Sequence, residues 1–150
     1  MRLPYYWLRQ RFEGGSTISQ QLARNLYKKI GFEVTVTRKL REMITAVQIE
    51  SNYTKREIIE MYLNTVEFSN SAFGIESAAR THYGKPAADL TLLESATLIG
   101  QLKAVYAYNP RLFPERSQTR RNVVLGQMLK QDFISQEVYD NIKDEPITLD

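Results

Sequence analysis

Apolar residues recur at helical spacing along most of the chain. Ile18, Leu22, Leu26 and Ile30 stand four apart and form one stripe. Thr17-Ile18-Ser19-Gln20 reads as a capping box, in which a hydroxyl accepts from a free backbone N–H and a glutamine reaches back. Gly31 suits the stop of that helix. Phe32 to Thr37 alternates enough to form a connecting loop or a short strand. A second helix is predicted from near Thr37 to about Ser51, with Leu40, Ile44 and Val47 as its buried stripe. Thr54-Lys55-Arg56-Glu57 is another capping box, opening a third helix through Tyr62 and Leu63 that buries Ile58, Ile59 and Tyr62. Asn64 to Phe73 is polar and turn-like. Gly74 to His82 is alanine-rich and helical. Thr91-Leu92-Leu93-Glu94 starts an apolar helix to about Leu102. Asn109-Pro110 and Pro114 make Tyr106 to Pro114 a loop. A helix with Val124, Leu125 and Met128 follows, then a short one from Ser135. The expectation is an all-α fold, or nearly so, around a single hydrophobic core.

Composition narrows the class. The chain has 150 residues, 43% hydrophobic and 25% charged, which fits one globular domain and excludes a disordered tail, a collagen-like repeat or a coiled-coil rod. It has no cysteine and one histidine, so disulfides, thiolate metal sites and multi-histidine zinc sites are excluded. A Ser-His-Asp triad could use only His82. Lysine and arginine number 20 against 17 acidic residues, a mild basic excess that suits an anionic partner. No window is long and apolar enough for a transmembrane helix. The start, with Tyr5, Tyr6, Trp7 and Phe12 among Arg2, Arg9 and Arg11, is not a signal peptide. Its composition suits either a membrane interface or a helix end packed on a core.

Several polar residues exceed what a stable bundle requires. Gly14-Gly15-Ser16-Thr17 precedes a helix N-terminus, followed by Gln20, Gln21 and Arg24. Such a terminus accepts an anion such as phosphate, although an ordinary glycine loop with an N-cap has the same pattern. In Arg38-Lys39-Leu40-Arg41-Glu42, helical spacing holds Glu42 beside two cations. They keep it ionised and suit it to a divalent metal or a reacting group, while the cations suit phosphates. A surface salt-bridge ladder, worth only about 0.3–0.5 kcal/mol per pair, is the plain alternative. Asn64 reads as a helix C-cap, His82 as a histidine at a helix end favourable to the dipole, and Arg120-Arg121 as a solvated helix face.

Taken in order, these groups resemble the family 51 glycosyltransferases. These are the peptidoglycan glycosyltransferase domains of class A penicillin-binding proteins and of monofunctional transglycosylases. The resemblance runs over residues 14–125. It rests on Gly15-Ser16-Thr17-Ile18-Ser19-Gln20-Gln21, Arg38-Lys39-Leu40-Arg41-Glu42, and Lys55 through Tyr62-Leu63-Asn64. Phe73-Gly74-Ile75-Glu76-Ser77-Ala78-Ala79-Arg80, Tyr83-Gly84-Lys85, Leu92-Leu93-Glu94 and Tyr108-Asn109-Pro110 complete it. It implies a lysozyme-like helical lobe with a small jaw that touches the bilayer, here incomplete at the N-terminus. Lipid II would be polymerised into glycan strands by inverting attack of an acceptor 4-hydroxyl on a donor linked to a lipid pyrophosphate. By resemblance, Glu42 takes a catalytic role, holding the donor's pyrophosphate or a divalent cation, Mg or Mn. Ser16, Thr17, Gln20, Gln21, Arg24, Arg38, Lys39 and Asn64 contact substrate. The expected place is the outer, periplasmic or extracellular, face of a bacterial cytoplasmic membrane, reached through an anchor absent from this chain. The expected partners are lipid II, the growing strand, the membrane surface and other cell-wall synthesis proteins, with no nucleic acid and no organic cofactor.

Some positions depart from the family pattern. Relatives often carry a basic residue where Val34 and Val36 stand, for which Lys28 and Lys29 could substitute, and glycines where Ser69 and Ser71 stand. The family's general base is a glutamate in a Glu-Asp-x-x-Phe motif some tens of residues before the serine-threonine motif. Thirteen residues precede Gly14, and Glu13 is the only acid among them. The expectation is therefore a partial domain over 1–150, with 126–150 starting a linker toward a transpeptidase domain, and no polymerisation by this polypeptide alone. A binding-only remnant that grips lipid pyrophosphate is the alternative. A basic helical nucleic-acid binder lacks a recognition-helix pattern.

Overall fold

The computed structural model describes residues 16–26 and 36–150. The aromatic and basic start, Gly14 and Gly15, Lys28, Lys29, Ile30, Gly31 and the stretch from Phe32 through Thr35 lie outside the described residues. Among the described residues the fold is helical: α1 (Ile18–Leu26), α2 (Val36–Asn52), α3 (Lys55–Thr65), α4 (Ile75–Tyr83), a 3-10 turn (Ala87–Asp89), α5 (Leu92–Gln101), α6 (Pro114–Lys130) and α7 (Gln136–Ile142). The one extended pairing there is an isolated antiparallel bridge between Glu67 and Phe73. No described helix is long and apolar enough to cross a membrane. The chain divides into two compact units, Met1–Thr65 and Val66–Asp150. Two buried clusters thus replace the single core expected from the sequence.

In the first unit α1 packs on α2 and α3. Thr17 caps α1, its Oγ1 accepting from the Gln20 N–H at 3.2 Å. Thr54 and Glu57 form the reciprocal box that opens α3, with Thr54 N–H donating to Glu57 Oε2 at 2.8 Å and Glu57 N–H to Thr54 Oγ1 at 3.3 Å. The buried residues are Ser19, Leu22 and Ala23 on α1, Glu42, Ala46 and Ile49 on α2, and Ile58 and Tyr62 on α3.

The burial corrects three sequence expectations. On α2 the predicted stripe is the outer face: Leu40, Ile44 and Val47 are 53%, 61% and 64% exposed. The inner face is Glu42-Ala46-Ile49, displaced by two residues, about 200° round a helix. Alanines 23 and 46 leave room for the backbones of α1 and α2 to approach, and Arg24 on α1 offers Glu42 a counter-charge. On α1, Ile18 and Leu26 are exposed while Ser19 and Ala23 turn inward with Leu22. On α3, Ile59 is exposed beside the buried Ile58.

The second unit is built on Phe68, Ala72, Ala78, Tyr83 and Leu98, against which Val66, Ile75, Leu90, Leu102 and Leu149 pack. Helix α4 runs between Gly74 and Gly84; Gly84 closes it in the left-handed region at φ 63°, its N–H donating to the Arg80 carbonyl. Thr91 and Glu94 form the predicted reciprocal box at α5. Pro114 opens α6 at its first turn, and Ser135 caps α7 through the Val138 N–H. Helices α5 and α6 lie close at Gly100, where an added Cβ would meet Arg120 Cγ at 3.2 Å.

Residues beyond 125 fold back onto this unit. Arg121 is 1% exposed, not solvated as its position beside Arg120 suggested. Its guanidinium donates to the carbonyls of Lys143 and Glu145 at 3.0 and 2.7 Å. Asn122 reaches the Lys143 carbonyl at 2.8 Å, and Arg111 bonds the carbonyls of Thr81 and Asp150, each at 2.8 Å. The tail thereby supplies acceptors that a buried guanidinium requires.

Candidate functional site

The polar residues of the first unit converge on one carboxylate. Glu42 sits on the inner face of α2, and its side chain is 3% exposed. Arg24 Nε, from α1, lies 3.1 Å from Oε1. Lys39 Nζ, one turn back on α2, lies 3.2 Å from Oε2, and Arg38 Nε lies 3.4 Å from Oε1. The three cations keep 40 to 46% of their side chains exposed. Burial pushes the Glu42 pKa up, but the hydrogen bonds and charges of Arg24 and Lys39 together outweigh it and hold it below the usual carboxylate value. Glu42 is thus a fixed anion, and the cluster carries positive charge in excess on its open side.

Two further residues extend the cluster. Lys39 Nζ donates to Ser16 Oγ at 3.0 Å, which brings the residue ahead of α1 against α2. Gln21 Nε2 donates to the Ser16 carbonyl at 3.3 Å, and Tyr62 Oη donates to Gln21 Oε1 at 3.1 Å. Ser16, Gln21, Arg24, Arg38, Lys39 and Glu42 therefore form one bonded assembly. Thr17 stands beside it with its hydroxyl used as the α1 cap, and Gln20 contributes its backbone N–H to that cap. Asn64 is not in the assembly. It is exposed in the last turn of α3, two residues past Tyr62, and so turns to the side away from Gln21. It does not end the helix, which runs on to Thr65.

The sequence reading assigned Tyr62 to the core and gave its hydroxyl no task. The available signal was tyrosine, not phenylalanine, at a buried position, because a buried phenol requires a partner.

The donor set does not suit a protein-held Mg or Mn ion. Such ions take several oxygen ligands, whereas both Glu42 oxygens already accept from cationic nitrogens. Among the described residues no group of three or more His, Cys, Asp or Glu is arranged to hold a metal.

In the second unit His82 is buried, not poised as a cation at a helix end. Its Nε2 shares a 3.0 Å hydrogen bond with Ser69 Oγ, which also accepts from Gln101 Nε2 at 2.7 Å. Burial and then the Arg111 charge pull the imidazole pKa down to about 4. This pair lacks the features of a nucleophile and base. Both residues are buried, the serine oxygen is engaged by an amide, and His82 Nδ1 has no orienting partner among the described residues. The network instead braces the 66–73 turn, with Asn109 Nδ2 donating to Asn70 Oδ1 at 3.2 Å.

Comparison with known proteins bears on the family and the fold. The family model described as Transglycosylase matches residues 6–129. Penicillin-binding protein 1A of Pseudomonas aeruginosa is 46% identical over 134 residues, covering 89% of this chain and 16% of the relative. Penicillin-binding protein 1A of Aquifex aeolicus is 42% identical over 137 residues, covering 91% and 19%. The crystal structure of penicillin-binding protein 1A from Haemophilus influenzae superposes with a TM-score of 0.60 at 29% identity, over 93% of this chain and 17% of that one. The chain thus spans 16 to 19% of the length of these two curated relatives. With the helical fold, the motif series and a family match over most of its length, the chain belongs to the transglycosylase family.

Proposed function

We propose that this chain is the pyrophosphate-gripping part of a peptidoglycan glycosyltransferase that polymerises lipid II. The observation that carries this reading is the bonded run from Ser16 through Lys39 to Glu42, joined by Arg24 and Arg38. In the reaction the acceptor 4-hydroxyl attacks the donor's anomeric carbon with inversion, and the bond to the lipid pyrophosphate breaks. The leaving group takes the electron pair, and negative charge grows on its oxygens. Three half-exposed cations, already oriented, are suited to stabilise that charge. Glu42 serves by holding them in place. Its lowered pKa makes it a poor proton acceptor near neutral pH, so the hydroxyl proton goes to another group. The family's glutamate motif for that step does not occur in these 150 residues. No step is routed through a metal.

The exposed row Leu40, Met43, Ile44 and Val47 on α2 suits contact with a lipid surface, which fits a lipid-linked substrate at the outer face of a membrane. The test is calorimetric titration of the chain with farnesyl pyrophosphate in detergent. Removing a charge-assisted hydrogen bond should weaken binding about 10- to 100-fold in Lys39→Ala. Unchanged affinity in that variant would refute the assignment. With labelled lipid II, this polypeptide should bind without extending strands at the rate of an intact relative, since a general base supplies about 10²–10⁴-fold.

A further inference from the structure

We infer that Tyr62 is a positioning residue for the anion site, acting through Gln21 to set the backbone of Ser16. The inference rests on reading the Glu42 cluster as a diphosphate site. Tyr62 is 7% exposed on the inner face of α3, where its ring fills space that phenylalanine would fill as well. The hydroxyl is what distinguishes it. It donates to Gln21 Oε1 at 3.1 Å, and Gln21 Nε2 donates to the Ser16 carbonyl at 3.3 Å. A carbonyl only accepts, so the amide must turn its nitrogen to Ser16 and its oxygen to Tyr62. The phenol has to be the donor at that oxygen. Burial raises the Tyr62 pKa, which keeps the proton in place at neutral and mildly alkaline pH.

Ser16 is then held from two directions. Its carbonyl is fixed by Gln21 and its hydroxyl by Lys39 Nζ at 3.0 Å. This matters because Ser16 precedes α1, and among the described residues these two bonds are what place it. Without the Tyr62–Gln21 link, the Gln21 amide is free to turn away from the Ser16 carbonyl, and the Lys39 contact loses that support. The lysine would then lose the partner that turns it away from simple pairing with Glu42. Three helices thus converge on one residue, with α3 contributing no charged group.

The test uses the whole chain and farnesyl pyrophosphate in detergent micelles. Tyr62→Phe keeps the ring and removes the donor. Its thermal midpoint should stay within a few degrees of wild type, its affinity should fall about three- to tenfold, and amide exchange over residues 16–20 should accelerate. Gln21→Leu should behave alike, and the double variant should be no more than twofold weaker than Gln21→Leu, because one path is broken only once. Multiplied losses in the double variant, or unchanged affinity and exchange in Tyr62→Phe while Lys39→Ala loses binding, would overturn the inference and leave the site assignment standing. If wild-type chain does not bind, or Lys39→Ala binds as wild type does, the site assignment fails and takes this role with it. A merely structural role would lower the thermal midpoint in step with affinity, and that result too would reject the inference.

Discussion

His82 is the sole histidine of the chain, which makes its protonation directly observable. Its folded pKa of about 4 lies below the ordinary 6.5. Between those values the unfolded chain takes up a proton that the folded chain refuses. Its contribution is therefore intact above pH 6.5 and is lost as pH falls toward 4. Glu42 acts in a lower window, contributing above the ordinary carboxylate value and losing that contribution as pH falls through its depressed one. The expected outcome is a single imidazole NMR signal that does not titrate between pH 7 and 5.5 in the folded protein. Urea midpoints should begin to fall below pH 6.5 and fall further below the carboxylate range. An imidazole that titrates near 6.5 in the folded state would contradict the burial of His82. At this scale the sequence was informative about composition of the site and silent about burial. Glu42, Lys39, Arg24 and Ser16 stand in recognisable motifs, whereas nothing local distinguishes a solvated Arg121 from one enclosed by a returning tail.

The helices themselves were legible where their signals are local. The boxes at Thr54 and Thr91 and the cap at Ser135 form within four residues of chain, so the residues that make them can be read directly. The face that a helix buries is decided by its neighbours instead, and on α2 the apolar count pointed to the wrong side. Leucine, isoleucine and valine outweigh a glutamate, an alanine and one isoleucine on a hydrophobicity scale, yet the glutamate has a partner on α1 and the alanine allows close approach. This assignment can be checked with two variants. Ile49→Ala should cost about 2–4 kcal/mol, as a truncation in a packed interior does, while Ile44→Ser should stay within about 0.5 kcal/mol. Urea denaturation measures both, and the reverse order would restore the stripe read from the sequence. The 66–73 turn carries its own signature: Asn70 and Ser71 have φ of 61° and 59°, and Ser71 is where relatives were expected to carry glycine. The departure at Ser71 therefore keeps the left-handed backbone at a residue less suited to it.

At the scale of the molecule, the chain divides into two compact units, a division no periodicity announces. Within the second unit, the segment after α7 is tied to the unit through its backbone, its carbonyls accepting from the buried Arg121 and the exposed Arg111. Arg121→Met should therefore do more than remove a surface charge. Leaving the Glu145 carbonyl without its donor, and the Lys143 carbonyl with Asn122 alone, should cost about 1–3 kcal/mol, seen as faster amide exchange across residues 66–150. Exchange unchanged from wild type would show that the tail closes the unit without this side chain.

The bare backbone at Gly100 sets how near α6 can come. A methyl group there would lie 3.2 Å from Arg120 Cγ and 3.4 Å from the backbone of Arg120 and Arg121, so even alanine at this position would prise the two helices apart by a few tenths of an ångström.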